Sequence, residues 1–404
     1  MRILLLTQGY YPDTVSVAQH AQDLCEALAH SNHNVDVITS RYTYEKNIKL
    51  EEKNLVHKGV KIERLSPTRF SKKTYFGRAT NFLSFNIFLF FKILFSRRTK
   101  YDLIIGMTLP PFISFIGVIA ARLKRVKFCF WVMDIQPGIS IASGIFKPNS
   151  FIAKCLQFAA DYISKHSDLI IVLDRFMKDH LIEQKAEPPK IKVVPVWPVM
   201  NRVYDGKRLD NPFRKEHGFG DKTVIMYSGN HAIAHKLDTL LQAAEQLRNN
   251  EKFLFVFIGG GLRVKDVTEF KTQHKLNNII QLPFQPRERI HLSLGSADLQ
   301  VVVLGEGQVG YTHPNKVYGA IFIGKPVIYI GPDESHVSDI TNQIDGNISL
   351  QHGMVDELVS KLKAFESKSE EEKLMIGNEN LELAHKIFHP DYLKAKMVEH
   401  INNL

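Results

Sequence analysis

The sequence predicts an α/β protein with two Rossmann-like, doubly wound parallel-sheet domains facing one another across a cleft. Three observations carry that expectation. Short, strongly apolar runs of strand length alternate with longer helical stretches along the chain, the order that builds parallel sheets covered by helices on both faces. The alternation stops at a proline-containing segment near residue 200 and then starts again. And 404 residues exceed what one compact core holds comfortably.

The first series opens with Ile3-Leu-Leu-Leu6, a continuous apolar run suited to a strand buried on both faces. Further strands are expected at 34–38, 60–65, 103–105, 127–131, 169–172 and 192–194, with helices between them such as 18–31 and 150–167. Val196-Trp-Pro-Val-Met-Asn201 breaks the pattern, and polar residues continue to Asp210-Asn-Pro212, which places the interdomain linker there. The second series has strands at 224–228, 253–258, 279–282, 299–303 and 326–330, with helices at 236–249, 287–293 and 316–323. The expected domains are therefore 1–198 and 199–389, with a closing helical segment 390–404 returning to the first.

Charge separates the two halves. The first 200 residues hold 28 basic and 16 acidic side chains, whereas the remainder is slightly acidic within an overall net charge of +10. That asymmetry points to an anionic partner for the first half. The basic residues flank an apolar stretch. Arg69, Lys72, Lys73 and Arg78 precede residues 81–95, and Arg97, Arg98 and Lys100 follow them. The apolar stretch is shorter than the roughly 20 residues of a membrane-spanning helix and is interrupted by Asn86 and Lys92. Two readings of it stay open: a helix packed in the core, and a helix laying aromatic residues into an anionic membrane surface, with peripheral contact through 69–100. Nucleic acid is not an expected partner, because the aromatics are not interleaved with the basic residues. Cys25, Cys129 and Cys155 show no metal-ligand spacing and read as reduced thiols. The first residues read as a strand rather than a secretory leader, so the expected location is cytoplasmic, peripheral on the inner face of the plasma membrane.

Ligands of open α/β sheets bind beyond the carboxyl ends of strands, and the unusual residues fall at those junctions. After the first strand, Thr7-Gln-Gly9-Tyr-Tyr-Pro-Asp13 offers a glycine for close backbone approach but no G-x-G-x-x-G, so no dinucleotide cofactor is indicated. Trp131-Val-Met-Asp134-Ile-Gln-Pro-Gly138 ends a strand in a carboxylate able to hold a sugar hydroxyl or accept its proton. Tyr227-Ser-Gly229-Asn230-His-Ala-Ile-Ala-His-Lys236 places a lysine near a helix start, where backbone N–H groups favour phosphate. In the same segment His231 and His235 have metal-ligand spacing but no nearby carboxylate, so no metal is expected. Gly259-Gly260-Gly261 follow another buried strand and permit either close ligand approach or a tight turn. Finally Gly305-Glu306-Gly-Gln-Val-Gly310-Tyr311-Thr312-His-Pro-Asn315-Lys316 combines glycines, an acid for sugar hydroxyls and a helix start for phosphate oxygens.

Taken in order, these segments resemble retaining glycosyltransferases of the GT4 family, which have the GT-B fold, and in particular the bacterial subgroup that builds O-antigen, capsule and other exopolysaccharide repeat units. The residues that carry the resemblance are the amino-terminal Arg2-Ile-Leu-Leu-Leu-Thr-Gln-Gly-Tyr-Tyr-Pro-Asp13, Trp-Val-Met-Asp134-Ile-Gln-Pro, Tyr-Ser-Gly229-Asn-His, Phe-Ile-Gly-Gly-Gly261, and His-Pro-Asn-Lys316-Val-Tyr-Gly followed by Gly324-Lys-Pro-Val-Ile. The resemblance implies a nucleotide-sugar donor, UDP-linked, and an acceptor that is a saccharide or is linked to undecaprenyl diphosphate. It implies Asp134, Lys236 and Glu306 as catalytic residues, with Lys236 on the donor phosphates. It assigns donor contacts to Gly9, Gly229, Asn230, Gly259, Gly260, Gly261, Phe284, Gln285, Arg287, Tyr311, Thr312, Asn315 and Lys316, the backbone at Phe284 and Gln285 reading the base.

Two positions depart from the family pattern. Asn230 stands where an arginine is usual, with Arg287 or Arg289 as the expected substitute, and Gly319 stands where the second of two paired glutamates is usual. The departing nucleoside diphosphate gains charge as the glycosidic bond breaks, and lysines with helix amino-termini stabilise that charge. No D-x-D signature is present, so neither a metal nor another cofactor is expected. Two alternatives remain at this point: a UDP-sugar 2-epimerase of similar fold, and a non-catalytic or partner-dependent homologue, for which Asn230 and Gly319 are the motive.

Overall fold

A computed structural model describes residues 1–44, 47–70, 75–95, 101–200 and 202–404, without the side chains of 75, 76 and 78. Lys72, Lys73, Arg97, Arg98, Lys100 and the side chain of Arg78 lie outside the described residues. The chain divides into two compact units. The first comprises Met1–Val196, Gly310–His313 and Pro390–Leu404, and the second Trp197–Val309 and Pro314–His389.

In the first unit the chain forms β1 (Arg2–Leu6), α1 (Ser16–His30), β2 (Asn34–Ser40), β3 (Asn54–His57), β4 (Val60–Leu65), α2 (Tyr75–Phe95), β5 (Leu103–Gly106), α3 (Ile113–Lys124), β6 (Lys127–Trp131), α4 (Gly138–Ala142), α5 (Phe151–His166), β7 (Leu169–Val172), α6 (Arg175–Glu183) and β8 (Ile191–Val193). The sheet order is β3-β4-β2-β1-β5-β6-β7-β8, parallel except for the β3–β4 pair. β1, β5 and β7 are apolar and buried almost throughout, as strands covered on both faces must be. β3 went unpredicted because Asn54-Leu-Val-His57 is half-exposed and short; it is an edge strand held by its hairpin with β4.

α2 has two faces. Asn81, Phe85, Asn86, Leu89 and Ile93 are buried, while Leu83, Ile87, Phe88, Phe91, Leu94 and Phe95 are exposed. The two residues that interrupt the apolar run have partners: the Asn86 amide donates to the Pro111 carbonyl at 3.1 Å, and Lys92 pairs with Glu63 at 2.7 Å. One side of the helix is thus packed in the core, and the other presents apolar side chains at the surface. Among the described residues no helix is long and apolar enough to cross a membrane.

The second unit contains α7 (Pro212–Glu216), β9 (Thr223–Ser228), α8 (Asp238–Gln246), β10 (Phe253–Ile258), α9 (Val264–Gln273), β11 (Ile279–Leu282), α10 (Ile290–Gly295), β12 (Leu299–Val303), α11 (Lys316–Phe322), β13 (Val327–Ile330), α12 (His336–Thr341), β14 (Ile348–Leu350), α13 (Val355–Glu366) and α14 (Glu370–Ile387). Its sheet runs β11-β10-β9-β12-β13-β14, all parallel. All six side chains of β10 are buried, and Phe253, Phe255 and Phe257 join Ile225, Tyr227, Val301 and Ile328 in one core. The linker residues are tied in by charge. Arg208 and Arg214 both pair with the buried Asp298, whose carboxylate also accepts the Val224 N–H at 2.7 Å. Burial alone would raise the Asp298 pKa, but Arg208, then Arg214 and that N–H hold it below the usual range. α15 (Pro390–Asn402) closes the chain and packs on α1 within the first unit.

Candidate functional site

In the second sheet the strand order reverses between β9 and β12, the place where open α/β sheets bind ligands. The junctions after β9, β10 and β12 converge there. Gly229 and Gly259 both have strongly positive φ, 127° and 134°, which a side chain would strain. Each is also packed. A Cβ on Gly259 would lie 2.0 Å from the Gly229 carbonyl oxygen, and one on Gly261 would lie 2.4 Å from the Asn230 amide oxygen. A Cβ on Gly305 would come within 2.6 Å of the Ala234 carbonyl, which accepts the Gly305 N–H at 2.8 Å. The Gly260 carbonyl accepts from the His231 N–H at 2.7 Å. These glycines therefore let three loops touch one another, a reason distinct from the ligand approach that the sequence pattern offered.

Lys316, the first residue of α11, is the cation of this cluster. A Cβ on Gly229 would lie 2.7 Å from its Cε. Its ammonium donates to the Asn230 carbonyl at 3.1 Å and stands 4.7 Å from the Tyr227 ring centroid. Part of the residue reaches the surface, but the ammonium is deep enough for desolvation to push its pKa down to about 7. Asn230, in the place of the family's arginine, thus contributes a carbonyl to the cluster. Phe284 packs over Gly259, its ring 3.3 Å from where a Cβ would stand there, and Gln285 donates to the Pro283 carbonyl at 2.9 Å.

Other predicted residues are placed differently. Lys236, one residue before the N-cap of α8, is exposed, and among the described residues it has no hydrogen-bond or ion-pair partner. Glu306 is also exposed, close enough to Tyr329 to help raise the phenol's pKa, which burial mainly raises. Arg287 donates to the Val199 carbonyl at 2.9 Å, and Arg289 pairs with Glu216 and stands over Phe213, so Arg289 is occupied elsewhere. Asn315 precedes α11. Gly319 lies in α11, where a Cβ would make ordinary contacts of 3.5 Å with Leu294 and Met200.

Tyr311 and Thr312 do not belong to the second unit, where the sequence reading put them. The strip Gly310–His313 joins the first unit through an antiparallel bridge between Asp134 and Thr312. The Ile135 N–H donates to the Tyr311 carbonyl at 2.8 Å, and the Tyr311 ring fills the space where Gly138 has no side chain. The Thr312 hydroxyl donates to Asp134 at 3.2 Å. Burial raises the Asp134 pKa, opposed by that hydroxyl and by His313. His313 is itself buried, its Nδ1 2.6 Å from the Asp174 carboxylate, which also caps α6 by accepting the Met177 N–H at 2.8 Å. Proximity in sequence to Lys316 hid this placement, and no local pattern signals that four residues leave their neighbours. Gly9 follows β1 in the same unit. Its φ is not positive and a Cβ would make only ordinary contacts, so neither backbone nor packing requires glycine there.

The residues that sequence reasoning missed are Tyr227, His235, His313 and Asp174. In the sequence His231 and His235 stand out only by a spacing that lacks a carboxylate partner. In the structure His235 Nδ1 lies 2.9 Å from the Tyr227 hydroxyl and 3.4 Å from the Lys316 ammonium.

Comparison with known proteins agrees with this layout. Residues 16–197 match the family described as glycosyl transferase 4-like domain, and residues 210–381 match glycosyl transferases group 1. The chain is 25% identical over 259 residues to the glycosyltransferase WbjE of Pseudomonas aeruginosa, covering 64% of each protein, slightly less than two thirds of the WbjE length. It is 24% identical over 339 residues to WcaI of Escherichia coli K12, named a colanic acid biosynthesis glycosyl transferase, covering 80% of this chain and 82% of that one. Anabaena HepE, solved with UDP and glucose, aligns over the full length of both chains with a TM-score of 0.74 at 14% identity. Membership removes the epimerase alternative: with both halves matched in order and two parallel α/β sheets in place, the chain belongs to the GT4-type glycosyltransferases and has the GT-B fold.

Proposed function

We propose that the protein transfers a sugar from a nucleoside-diphosphate sugar, UDP-linked, to a saccharide or an undecaprenyl-diphosphate-linked acceptor in bacterial surface polysaccharide synthesis, with retention at the anomeric carbon. The observation that carries the donor reading is Lys316. It is a desolvated ammonium at the switch point of the second sheet, close to Gly229, with no carboxylate paired to it among the described residues. HepE, of similar fold, holds UDP and glucose, and the names of WbjE and WcaI support the polysaccharide setting.

As the bond from the anomeric carbon to the phosphate oxygen breaks, the electron pair leaves with the nucleoside diphosphate. Lys316 neutralises that charge, Lys236 adds a solvent-side cation, and Glu306 holds donor hydroxyls. The acceptor oxygen forms the new bond, and the ionised Asp134 holds the acceptor hydroxyl and takes its proton. No metal enters this reading, because lysine supplies the positive charge. Lys316→Met should weaken UDP binding and turnover at least about a hundredfold, and Lys236→Ala should cost about tenfold. Calorimetry with UDP, GDP and ADP checks both; unchanged UDP affinity in Lys316→Met sinks the donor assignment.

The exposed face of α2 supports peripheral membrane contact. Leu83, Ile87, Phe88, Phe91 and Phe95 form one helical stripe. α3, which packs on α2, also packs on α5, where Phe151 and Phe158 are exposed. Phe91→Glu with Phe95→Glu should lower binding to phosphatidylglycerol vesicles at least about tenfold with the melting temperature unchanged. Equal vesicle binding would remove the membrane from the proposal.

A further inference from the structure

The Lys316 ammonium sits in a cage built by β9 and the loop that follows it. The Asn230 carbonyl accepts from it, the Tyr227 ring lies beneath it, and His235 Nδ1 is 3.4 Å away. The cage is itself braced. The Tyr227 hydroxyl is 2.9 Å from the Asn230 carbonyl and 2.9 Å from His235 Nδ1, and that Nδ1 is 3.1 Å from the same carbonyl. Every wall is neutral. Burial first, and Lys316 second, push the His235 pKa well below its ordinary value, and the same two causes push His231 down to about 4. Burial keeps the Tyr227 phenol protonated. Among the described residues Arg263 also faces the cage; it donates to the His235 carbonyl at 3.3 Å and is answered by Asp266 at 2.7 Å and Asp238 at 3.7 Å.

We propose that His235 and Tyr227 are positioning residues that aim Lys316 at the donor diphosphate and keep it without a counter-ion, so that the diphosphate is its first anionic partner. This rests on the donor reading above. The imidazole stays neutral, its Nδ1–H spent on the Asn230 carbonyl and the Tyr227 hydroxyl, so it braces the carbonyl that receives the ammonium, and the aromatic face attracts the ammonium without satisfying it as a carboxylate would. Binding of a diphosphate therefore restores the proton that burial makes labile. UDP affinity should fall as pH rises through about 7, where free Lys316 loses its proton.

The test is calorimetric titration of the full-length protein with UDP at pH 6.5 and 8.5, using the wild type, His235→Gln, His235→Leu, His235→Glu and Lys316→Met. Glutamine keeps a neutral N–H donor for the Asn230 carbonyl and should stay within about threefold of the wild type. Leucine removes the brace on the Asn230 carbonyl and glutamate supplies a competing anion. Each should weaken UDP by about tenfold or more, with glutamate also flattening the pH dependence. Should the glutamate variant fail to fold, the leucine and glutamine pair decides alone. Equal UDP affinity and wild-type pH dependence in all folded His235 variants overturns the cage. Unchanged affinity in Lys316→Met overturns the donor reading beneath it instead.

Discussion

Lys316, at the start of α11 in the second unit, and Asp134, after β6 in the first, are both half-buried residues with desolvated ionisable groups, and their surroundings treat them oppositely. Asp134 has a hydroxyl donor in Thr312 and a histidine in His313, which oppose the burial that raises its pKa. Lys316 has a carbonyl, a ring face and a neutral imidazole, and desolvation acts on it unopposed. The acid is partly satisfied before any ligand arrives, whereas the base is left in deficit. Lys316 therefore has the most to gain from a substrate: an anion repairs it, while a neutral hydroxyl suffices for Asp134.

That contrast can be broken by experiment. Asp134→Asn should reduce turnover by about a hundredfold while leaving UDP affinity within about twofold, because the loss falls on the acceptor side. A matching loss of UDP affinity would end the separation of roles. A smaller effect follows from pH. In the proposed reaction Asp134 is ionised, and the burial that raises its pKa shifts the acid limb of kcat/KM upward. Lys316 must be protonated, and its depressed pKa sets the alkaline limb near pH 7. Lys316→Arg should therefore erase the alkaline limb and leave the acid limb in place. The smallest change expected is from Thr312→Val. Removing the hydroxyl that lowers the Asp134 pKa should shift the acid limb upward and cut activity severalfold, with the alkaline limb still. A shift of the wrong sign would mean that Thr312 does not support the ionised form.

Much of the fold was legible because its strands are continuous apolar runs such as Phe253-Leu-Phe-Val-Phe-Ile258, which only a doubly covered sheet buries. The polar, half-exposed β3 and the three-residue β14 carry no such signal and were missed. At the site, glycines and lysines after strands were visible, but their reasons were not. Gly259 is a glycine because the Gly229 carbonyl presses on it, a contact between junctions 30 residues apart. Lys236 outranked Lys316 in the sequence because spacing from a glycine is readable and desolvation is not. The two histidines stand out in the sequence only by their local spacing, whereas their packing on Tyr227 and Lys316 belongs to the folded chain.

The four-residue strip Gly310–His313 makes the two units inseparable by any single cut. A fragment ending at Val196 would lack both the partner of Asp134 and the helix α15 that covers α1, and a fragment starting at Trp197 would carry those pieces away with it. A contiguous amino-terminal half is therefore an incomplete unit, and its solubility should depend on co-expression with the remainder, which holds the second unit whole.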